Sequence, residues 1–511
     1  MSQQLIASLQ NPALFPHPVE QFQVIETHIS WVLLTGPYAY KVKKPMNFGF
    51  LDFTSLASRQ HFCHEELRLN QRLAADLYLE VLAITGTEQA PTLAGEGEPI
   101  EYVLKMRQFP QSGLLSTLQA NGELSAANID DMARQIATFH LAAPRVPEDQ
   151  PWGSPESVMA PVTQNFEQIR PLINEQSDLE QLDALQAWAD ASYERLKPLL
   201  ARRKSEGFIR ECHGDIHLGN ATLIDGKVVI FDCIEFNEPF RKTDVYADIG
   251  FLAMDLEDRG LKSLARRLMT QYLELTGDYE GLELLNFYKA YRAMVRAKIA
   301  LFSLQPNADF VQRASTLRQY RNYANLAESY SAIPSRFLAI THGVSAVGKS
   351  HVALRLTEAL GAVRIRSDVE RKRLFESNGE LYGDQASAAT YQRLHDLARV
   401  SLQAGFPVVL DATYLKLAQR QQAAAVAEGT GVPFLILDCQ APLATIEGWL
   451  AQRQAAGDDP SDATLEVIQK QQASREPLTP EELPRTQLVE THVPSDMDGV
   501  VKQIRQCLPG L

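Results

Sequence analysis

Glu211 to Phe236 reads ECHGDIHLGNATLIDGKVVIFDCIEF, and the reading of this stretch decides the fold of everything before it. Asp215 follows His213-Gly214, and Asn220 follows Asp215 by five positions. Val228 to Phe231 reads as a short apolar strand that delivers Asp232. Asp225-Gly226 is a turn dipeptide, so the stretch predicts a hairpin between the Asn and the second Asp. A hairpin with polar turns accounts for Asp225-Gly226. It does not account for His-Gly-Asp, Asn at plus five and Asp after an apolar strand together. Transfer of a phosphoryl group to a hydroxyl needs a carboxylate that accepts or orients the hydroxyl proton, and oxygen ligands that hold Mg²⁺ against the phosphates. Asp215 is the candidate base, and Asn220 and Asp232 are the candidate Mg²⁺ ligands.

The same order of Asp, Asn and Asp occurs in the protein-kinase template. With HGDxxxxN in place of HRDxxxxN, the stretch resembles the aminoglycoside phosphotransferase family and its choline-kinase-like relatives. The resemblance implies a bilobal α+β kinase fold that uses ATP and Mg²⁺ on a small-molecule hydroxyl. Upstream residues suit a small lobe. Phe22 to Thr27, Trp31 to Thr35 and Tyr38 to Val42 read as three strands, with Gly36-Pro37 at the turn between the last two. Lys41 and Lys43 lie two apart on one face of the third strand. One of them grips the nucleotide's α- and β-phosphates; Lys41 is the first choice, because Tyr-Lys-Val is similar to the family's strand ending in a cation. A solvated basic strand end, KVKK before Pro45, is the alternative.

A helix is expected from Thr54 or Ser55 as N-cap to about Ala75. Glu66 lies beside its Leu69 and Leu73 stripe and is the candidate partner of the strand lysine, with Glu65 as neighbouring alternative. No GxGxxG joins the first two strands, only Thr27-His28-Ile29-Ser30, whose amides and hydroxyls are then the candidate phosphate contacts. Glu101 to Phe109 reads as a strand into a hinge facing adenine. Helices are expected at Ile129 to His140 and from about Leu179 to Arg203. His140 closes an apolar helix, the place of a structural histidine. The resemblance implies that Asp248, in RKTDVYADIGFLAMDLEDRG, ties the catalytic loop in place. Asp255, Glu257 and Asp258 form either a solvated helix end or an attractor for a cationic substrate.

Ser331 to Ser335 (SAIPS) breaks the helical pattern and marks the expected domain boundary. Phe337 to Thr341 then reads as an apolar strand, followed by GVSAVGKS: Gly343, Val344, Ser345, Ala346, Val347, Gly348, Lys349 and Ser350. This matches the P-loop pattern G-x-x-x-x-G-K-[ST], with a helix after it at Val352 to Leu360. Its glycines let backbone amides curl around phosphate oxygens, and the helix presents its positive end. Lys349 reaches the β- and γ-phosphates, and the Ser350 hydroxyl ligates Mg²⁺. Strands at Val363 to Arg366, Pro407 to Leu410, Val432 to Leu437 and Gln487 to Glu490 alternate with helices, which predicts an α/β domain with a parallel sheet.

Asp368 and Asp411 stand at carboxyl ends of strands, where open α/β sheets place ligands. Asp411 is a candidate for the Mg²⁺ shell. Asp368, with Arg366 and Arg371 as companions, resembles the substrate-orienting base of small P-loop kinases; its position also suits a helix N-cap. Arg453 precedes QAAGDDPSDA, which resembles a mobile lid with Arg453 stabilising transferred charge; Arg475 is the second choice. The segment from about Arg336 onward resembles zeta-toxin-like and polynucleotide-kinase-like P-loop kinases. The whole chain resembles the bacterial bifunctional aminoglycoside phosphotransferase/ATP-binding protein family. It implies a kinase-like domain at 1–330, with lobes at about 1–108 and 109–330, and a P-loop domain at 336–511.

Composition sets outer bounds. At 511 residues two or three domains are expected. A formal net charge of −14 argues against a broad nucleic-acid-binding surface. Five cysteines without CxxC spacing suit reduced thiols and give no zinc site. The beginning of the sequence lacks a signal-peptide pattern and no segment has the apolar length of a membrane span, so a soluble cytoplasmic protein is expected. The expected partners are ATP and an unidentified small-molecule phosphate acceptor. Two rival readings differ in class: a sensor in which one ATP site gates the other, and a toxin-like kinase acting on a nucleotide sugar or nucleic acid end. Acidic residues retained in both domains favour catalysis.

Overall fold

In YAYKVK, Tyr38–Lys43, alternate side chains take opposite faces of one strand, and that alternation organises the small lobe. Tyr40 and Val42 point into an apolar core with Leu5, Ile6, Leu9, Phe15, Trp31, Leu33, Ile84 and Val103, while Lys41 and Lys43 turn to the other face. The structure, a computed structural model, describes residues 3–49, 51–305, 308–332, 335–375, 383–456, 464–493 and 496–507. The chain packs as two compact units, Met1–Asp255 and Leu256–Leu511.

The first unit opens with α1 (Gln3–Ser8), then β1 (Gln23–Glu26), β2 (Ser30–Leu34), β3 (Tyr38–Lys43), α2 (Leu56–Ala74), β4 (Tyr78–Gly86), β5 (Pro91–Leu93) and β6 (Pro99–Arg107). These strands form one antiparallel sheet in the order β1-β2-β3-β6-β4-β5. Helix α2 starts where Ser55 accepts a hydrogen bond from the Ser58 amide, a cap worth about 1 kcal/mol. Helices α3 (Leu115–Ala120), α4 (Ala126–Ala142), α5 (Pro155–Ile169) and α6 (Gln176–Ser205) follow. Next come β7 (Ile209–Glu211), β8 (Ala221–Ile224), β9 (Lys227–Ile230), α7 (Glu238–Arg241), β10 (Lys242–Asp244) and α8 (Val245–Asp258), inside which the division between units falls. The β8–β9 hairpin turns through Asp225 and Gly226, both at positive φ (49° and 76°), the twist-matched turn for which Asp-Gly is suited.

The second unit continues with α9 (Lys262–Thr276), α10 (Leu282–Phe302) and α11 (Phe310–Ser329). It then alternates β11 (Leu338–His342), α12 (Lys349–Leu360), β12 (Val363–Arg366), α13 (Ser367–Phe375), α14 (Asp384–Gln403), β13 (Val408–Asp411), α15 (Leu417–Gly429) and β14 (Phe434–Gln440). Helices α16 (Leu443–Ala456) and α17 (Leu465–Ser474), β15 (Thr486–Glu490) and α18 (Asp496–Cys507) complete it. The five strands are parallel in the order β12-β13-β11-β14-β15, so the P-loop strand β11 is central. Val352, Ala353, Leu356 and Leu360 of α12 pack on Val409, Leu437 and Val489 of the sheet. Burying each aliphatic side chain there is worth roughly 1.5–3 kcal/mol. Helix α9 packs on this P-loop layer: Arg266 donates to the carbonyls of Glu358 (3.1 Å) and Ala359 (2.8 Å) at the end of α12, and Arg267 pairs with Glu358 at 2.7 Å. No helix among the described residues is long and apolar enough to cross a membrane.

Candidate active sites

The backbone of the loop at His213 and Gly214 is held by a buried carboxylate. Asp248 of α8 accepts from the His213 amide at 2.9 Å, the Gly214 amide at 2.8 Å and His140 Nε2 at 3.1 Å. Burial works against the Asp248 anion, but His140 and these donors outweigh it and hold its pKa at about 2. His140 is thereby a structural histidine. Gly214 is required: its φ is +89°, and a Cβ there would sit 2.9 Å from the Phe240 carbonyl oxygen. His213 bridges two loops, with Nε2 3.0 Å from the Phe231 carbonyl and Nδ1 accepting from the Asp215 amide at 3.3 Å. Burial lowers its pKa, and this hydrogen-bond pattern is that of a neutral ring. The acidic run after it is structural. Asp255 is buried and accepts from the Leu218 amide at 3.0 Å, and Glu257 takes Lys289 at 3.0 Å and the Tyr330 hydroxyl at 2.5 Å. At Asp255 and Glu257 these bonds correct both readings of the run, as a solvated helix end and as an attractor for a cationic substrate.

Asn220 Nδ2 donates to both the carbonyl and Oδ2 of Asp215, each at 3.0 Å. This orients the carboxylate and leaves the amide oxygen as the end of the side chain turned to other work. His217 Nε2 lies 3.4 Å from Asp215 Oδ2, while its Nδ1 accepts from the Gly219 amide at 3.0 Å. His217 was not anticipated, although its place two residues after Asp215 was the available signal.

Lys41 Nζ reaches Glu66 Oε1 at 2.7 Å and Asp232 Oδ1 at 3.0 Å. Lys43 Nζ takes the other Glu66 oxygen at 2.5 Å and also pairs with Glu235. Glu66 is therefore shared by both lysines, whereas Glu65 turns to Arg68 at 2.9 Å. Burial opposes the Lys41 ammonium, yet Asp232, Glu66 and Glu235 hold its pKa well above the ordinary value. Burial likewise opposes the Glu66 anion, and the two lysines prevail, so its pKa is lowered. Asp232 takes a positive φ of 63°, and its amide donates to the Tyr78 hydroxyl at 3.1 Å. Tyr78 begins β4, a strand the sequence reading did not contain, and Glu235 was likewise missed inside the apolar run FDCIEF. Thr27 closes its own turn, donating to the Ser30 carbonyl at 3.1 Å and accepting from the Ser30 amide at 3.0 Å. It presents no hydroxyl set aside for phosphate. Two ammoniums face three carboxylates here, and Asn220 adds an amide oxygen; this all-oxygen, net-anionic donor set suits a hard divalent cation such as Mg²⁺.

In the second unit, the P-loop follows β11 into α12. Gly343 (φ +144°) could not carry a side chain, because a Cβ would meet the Cys439 carbonyl oxygen at 2.7 Å. Gly348 (φ +92°) would meet Thr491 Cβ at 2.9 Å. Lys349 Nζ donates to the Val344 carbonyl at 2.6 Å, across the loop. The Ser345 amide donates to Gln471 Oε1 at 2.7 Å, and Gln471 Nε2 to the Ser345 hydroxyl at 3.1 Å; this double contact with α17 was not foreseen.

Asp411 ends β13 beside Arg366 of β12. Its Oδ2 is buried with no hydrogen-bond partner among the described residues, and Arg366 Nε stands off at 3.6 Å. An orphaned buried carboxylate oxygen at the carboxyl edge, near the Ser350 hydroxyl's helix, fits the outer sphere of a bound Mg²⁺. Asp368 lies inside the first turn of α13, which begins at Ser367, so it is not the N-cap and that alternative is corrected. Burial and then Asp411 push its carboxyl pKa up, against Lys349, Arg366 and Arg371. Arg475 donates to His342 Nε2 at 3.1 Å and to Asp438 Oδ1 at 2.8 Å, where burial and Arg475 push the imidazole down to about 4. The expected lid falls mostly outside the described residues, as does the Arg453 side chain, although its backbone lies on α16.

A model of the phosphotransferase enzyme family matches residues 50–285, and a model of an AAA domain matches 338–478. Uncharacterized proteins of Mycobacterium tuberculosis and Mycobacterium bovis are each 30% identical to this chain over 469 residues, covering 88% of it and 90% of theirs. Among solved structures, an amicoumacin kinase is similar at 12% identity and a TM-score of 0.40, covering 64% of this chain and 96% of its own.

Proposed function

We propose, for a chain that belongs to the family of bifunctional proteins joining an aminoglycoside-phosphotransferase-like kinase domain to a P-loop domain, two ATP-dependent phosphoryl-transfer sites. The chain is a phosphotransferase, and its working residues divide between the two domains. In the domain at 1–330, Asp215 takes the proton of a small-molecule hydroxyl, Asn220 holds that carboxylate in line, and Lys41 holds the nucleotide's phosphates. Asn220 and Asp232 would hold Mg²⁺, which supplies charge neutralisation at the transferred phosphoryl group. In the domain at 336–511, Lys349 and the amides of 343–350 bind a second nucleotide, Ser350 and Asp411 serve its Mg²⁺, and Asp368 orients an acceptor. Arg453 is the candidate for stabilising transferred charge. The soluble cytoplasm is the proposed location.

The observation that carries this reading is the charge chain Glu66–Lys41–Asp232 beside the Asn220–Asp215 clamp. These are the parts a hydroxyl phosphotransferase needs, brought together from residues far apart in the chain. ATP turnover against a panel of hydroxyl metabolites and aminoglycosides, with each site inactivated in turn, tests it. Acceptor-dependent ADP release that Asp215→Asn abolishes is the expected result. Acceptor-dependent release untouched by Asp215→Asn would sink the assignment.

One observation favours a second reading for the P-loop domain. The Ser345 amide already holds Gln471, so nucleotide entry there would change the partner of α17 and suits a sensing role.

A further inference from the structure

The carboxyl edge of the second sheet carries two arginines that answer to one carboxylate from outside the P-loop fold. Glu274 lies in the last turns of α9, a helix inside the match to the phosphotransferase family. Its Oε1 accepts from Arg364 Nε at 2.7 Å, and both side chains are buried. Arg364 also reaches the Ser350 carbonyl at 3.2 Å, in the first turn of the P-loop helix. The Glu274 carbonyl accepts from Arg373 Nη2 at 2.5 Å, on the helix that carries Asp368. Glu274 Oε2 lies 3.8 Å from Arg366 Nη1, and the other side of Arg366 lies 3.6 Å from Asp411 Oδ2. Arg366 thus stands between two carboxylates, within ion-pair range of each and beyond hydrogen-bond range of both.

We propose that Glu274 is a positioning residue of the second site: it fixes Arg364 against the P-loop helix and holds Arg366 off Asp411, keeping that carboxylate available to the metal that accompanies nucleotide. The physical reason is competition for one anion. A guanidinium within ion-pair range of two carboxylates is drawn towards the one that keeps its charge, with which it forms strong charge-assisted hydrogen bonds. With Glu274 neutral, Arg366 closes on Asp411 and takes the oxygen that the metal's shell would use. The P-loop site then depends on α9, a helix that precedes the P-loop segment in the chain and packs within the same compact unit, so residues 336–511 alone do not complete it. This rests on the assignment of Asp411 to the metal.

The test uses the full chain carrying Lys41→Ala and Asp232→Ala, which silence the first site, and reads binding of a fluorescent ATP analogue while Mg²⁺ is titrated. Glu274→Gln is expected to raise the Mg²⁺ concentration at half-response by about 10-fold or more, the usual cost of losing a residue that supports a metal site from behind. Adding Arg366→Gln to Glu274→Gln should restore the metal response, a rescue that a merely structural role for Glu274 would not give. An unshifted response in Glu274→Gln, or no rescue in the double variant, overturns the proposal. If Glu274→Gln does not fold by thermal melting, Arg366→Gln alone carries the test. It should leave the Mg²⁺ response equal or tighter, and a weaker response overturns the proposal. Asp411→Asn separates the two failures: if it leaves the Mg²⁺ response unmoved, the assignment of Asp411 is wrong; if it weakens the response while Glu274→Gln does not, only Glu274 is.

Discussion

At the first site the cations are paired with carboxylates; at the second one buried carboxylate oxygen has no hydrogen-bond partner among the described residues. Lys41 and Lys43 are bound to Glu66, Asp232 and Glu235. Asp411 Oδ2 is buried and unbonded among the described residues, with Arg366 standing off. The difference follows from construction. The first site joins a sheet face, a helix and a hairpin, and its two cations are fixed in place by side-chain charge. The second uses backbone amides at a helix N-terminus, which need no counter-ion until phosphate enters. The two lysines of the first site are therefore fixed by fold-internal pairing, while at the second one carboxylate oxygen, that of Asp411, is left without a hydrogen bond among the described residues.

The sharpest way to break this contrast is at Asp215. Asp215→Asn keeps the Asn220 contact in shape but cannot take a proton. First-site transfer should fall by roughly 10²–10⁴-fold with nucleotide affinity little changed. Rapid-mixing measurement of phosphate transfer to an identified acceptor checks this, and a wild-type rate would remove Asp215 from the chemistry.

The two lysines come next, because they should fail in different ways. Lys43 is almost wholly buried between Glu66 and Glu235, so Lys43→Met leaves the buried Glu235 without the lysine it pairs with and should cost about 3–5 kcal/mol in stability. Lys41→Met leaves Glu66 with Lys43, so its loss should show in nucleotide binding more than in melting. Denaturant unfolding beside nucleotide titration separates the two. Equal stability losses would mean that Lys41 too is chiefly structural.

A pH experiment sharpens the same point on the catalytic loop. The Asp248 carboxyl is lowered from 3.8 to about 2 in the fold, so its contribution is present in full above the unfolded value. It is lost as the pH falls from about 4 towards 2, for roughly 2–3 kcal/mol. Asp248→Asn should flatten that acid limb of the unfolding curve. An acid limb as steep as wild type would place the sensitivity elsewhere.

Much of this was legible because backbone chemistry leaves dense local marks. HGDxxxxN, the Asp-Gly turn and GVSAVGKS each fix several residues within one short span. The alternation of YAYKVK put Lys41 and Lys43 on one face, and the three-residue step from Glu66 to Leu69 put that glutamate on the buried side of α2. What stayed hidden depends on residues far apart in sequence. Glu235 matters through Lys43, Tyr78 through the Asp232 amide, and Glu274 through Arg364 and Arg366. None lies in a pattern with its partner. Strand β4 was missed for a related reason: only the short turn Ala75-Asp76-Leu77, which carries no Gly or Pro, separates YLEVLAITG from the end of α2.

The smallest effect is expected at Gln471, and its sign decides whether the second site is as open as the contrast holds. Its amide oxygen takes the Ser345 N–H at 2.7 Å, and its amide nitrogen meets the same residue's hydroxyl at 3.1 Å. A phosphate oxygen drawn to that amide must compete with this contact. One such bond nets about 0.5–1.5 kcal/mol, so Gln471→Ala should tighten second-site nucleotide binding by roughly 2- to 10-fold. Tightening would mean that the P-loop is partly self-occupied and that nucleotide entry releases α17, the coupling a sensor would use. Weakening would mean that Gln471 stays against the bound phosphate and helps to hold it. Titration of the first-site-silenced chain with a fluorescent ATP analogue distinguishes the two, because a contact that competes with ligand and one that joins it shift affinity in opposite directions.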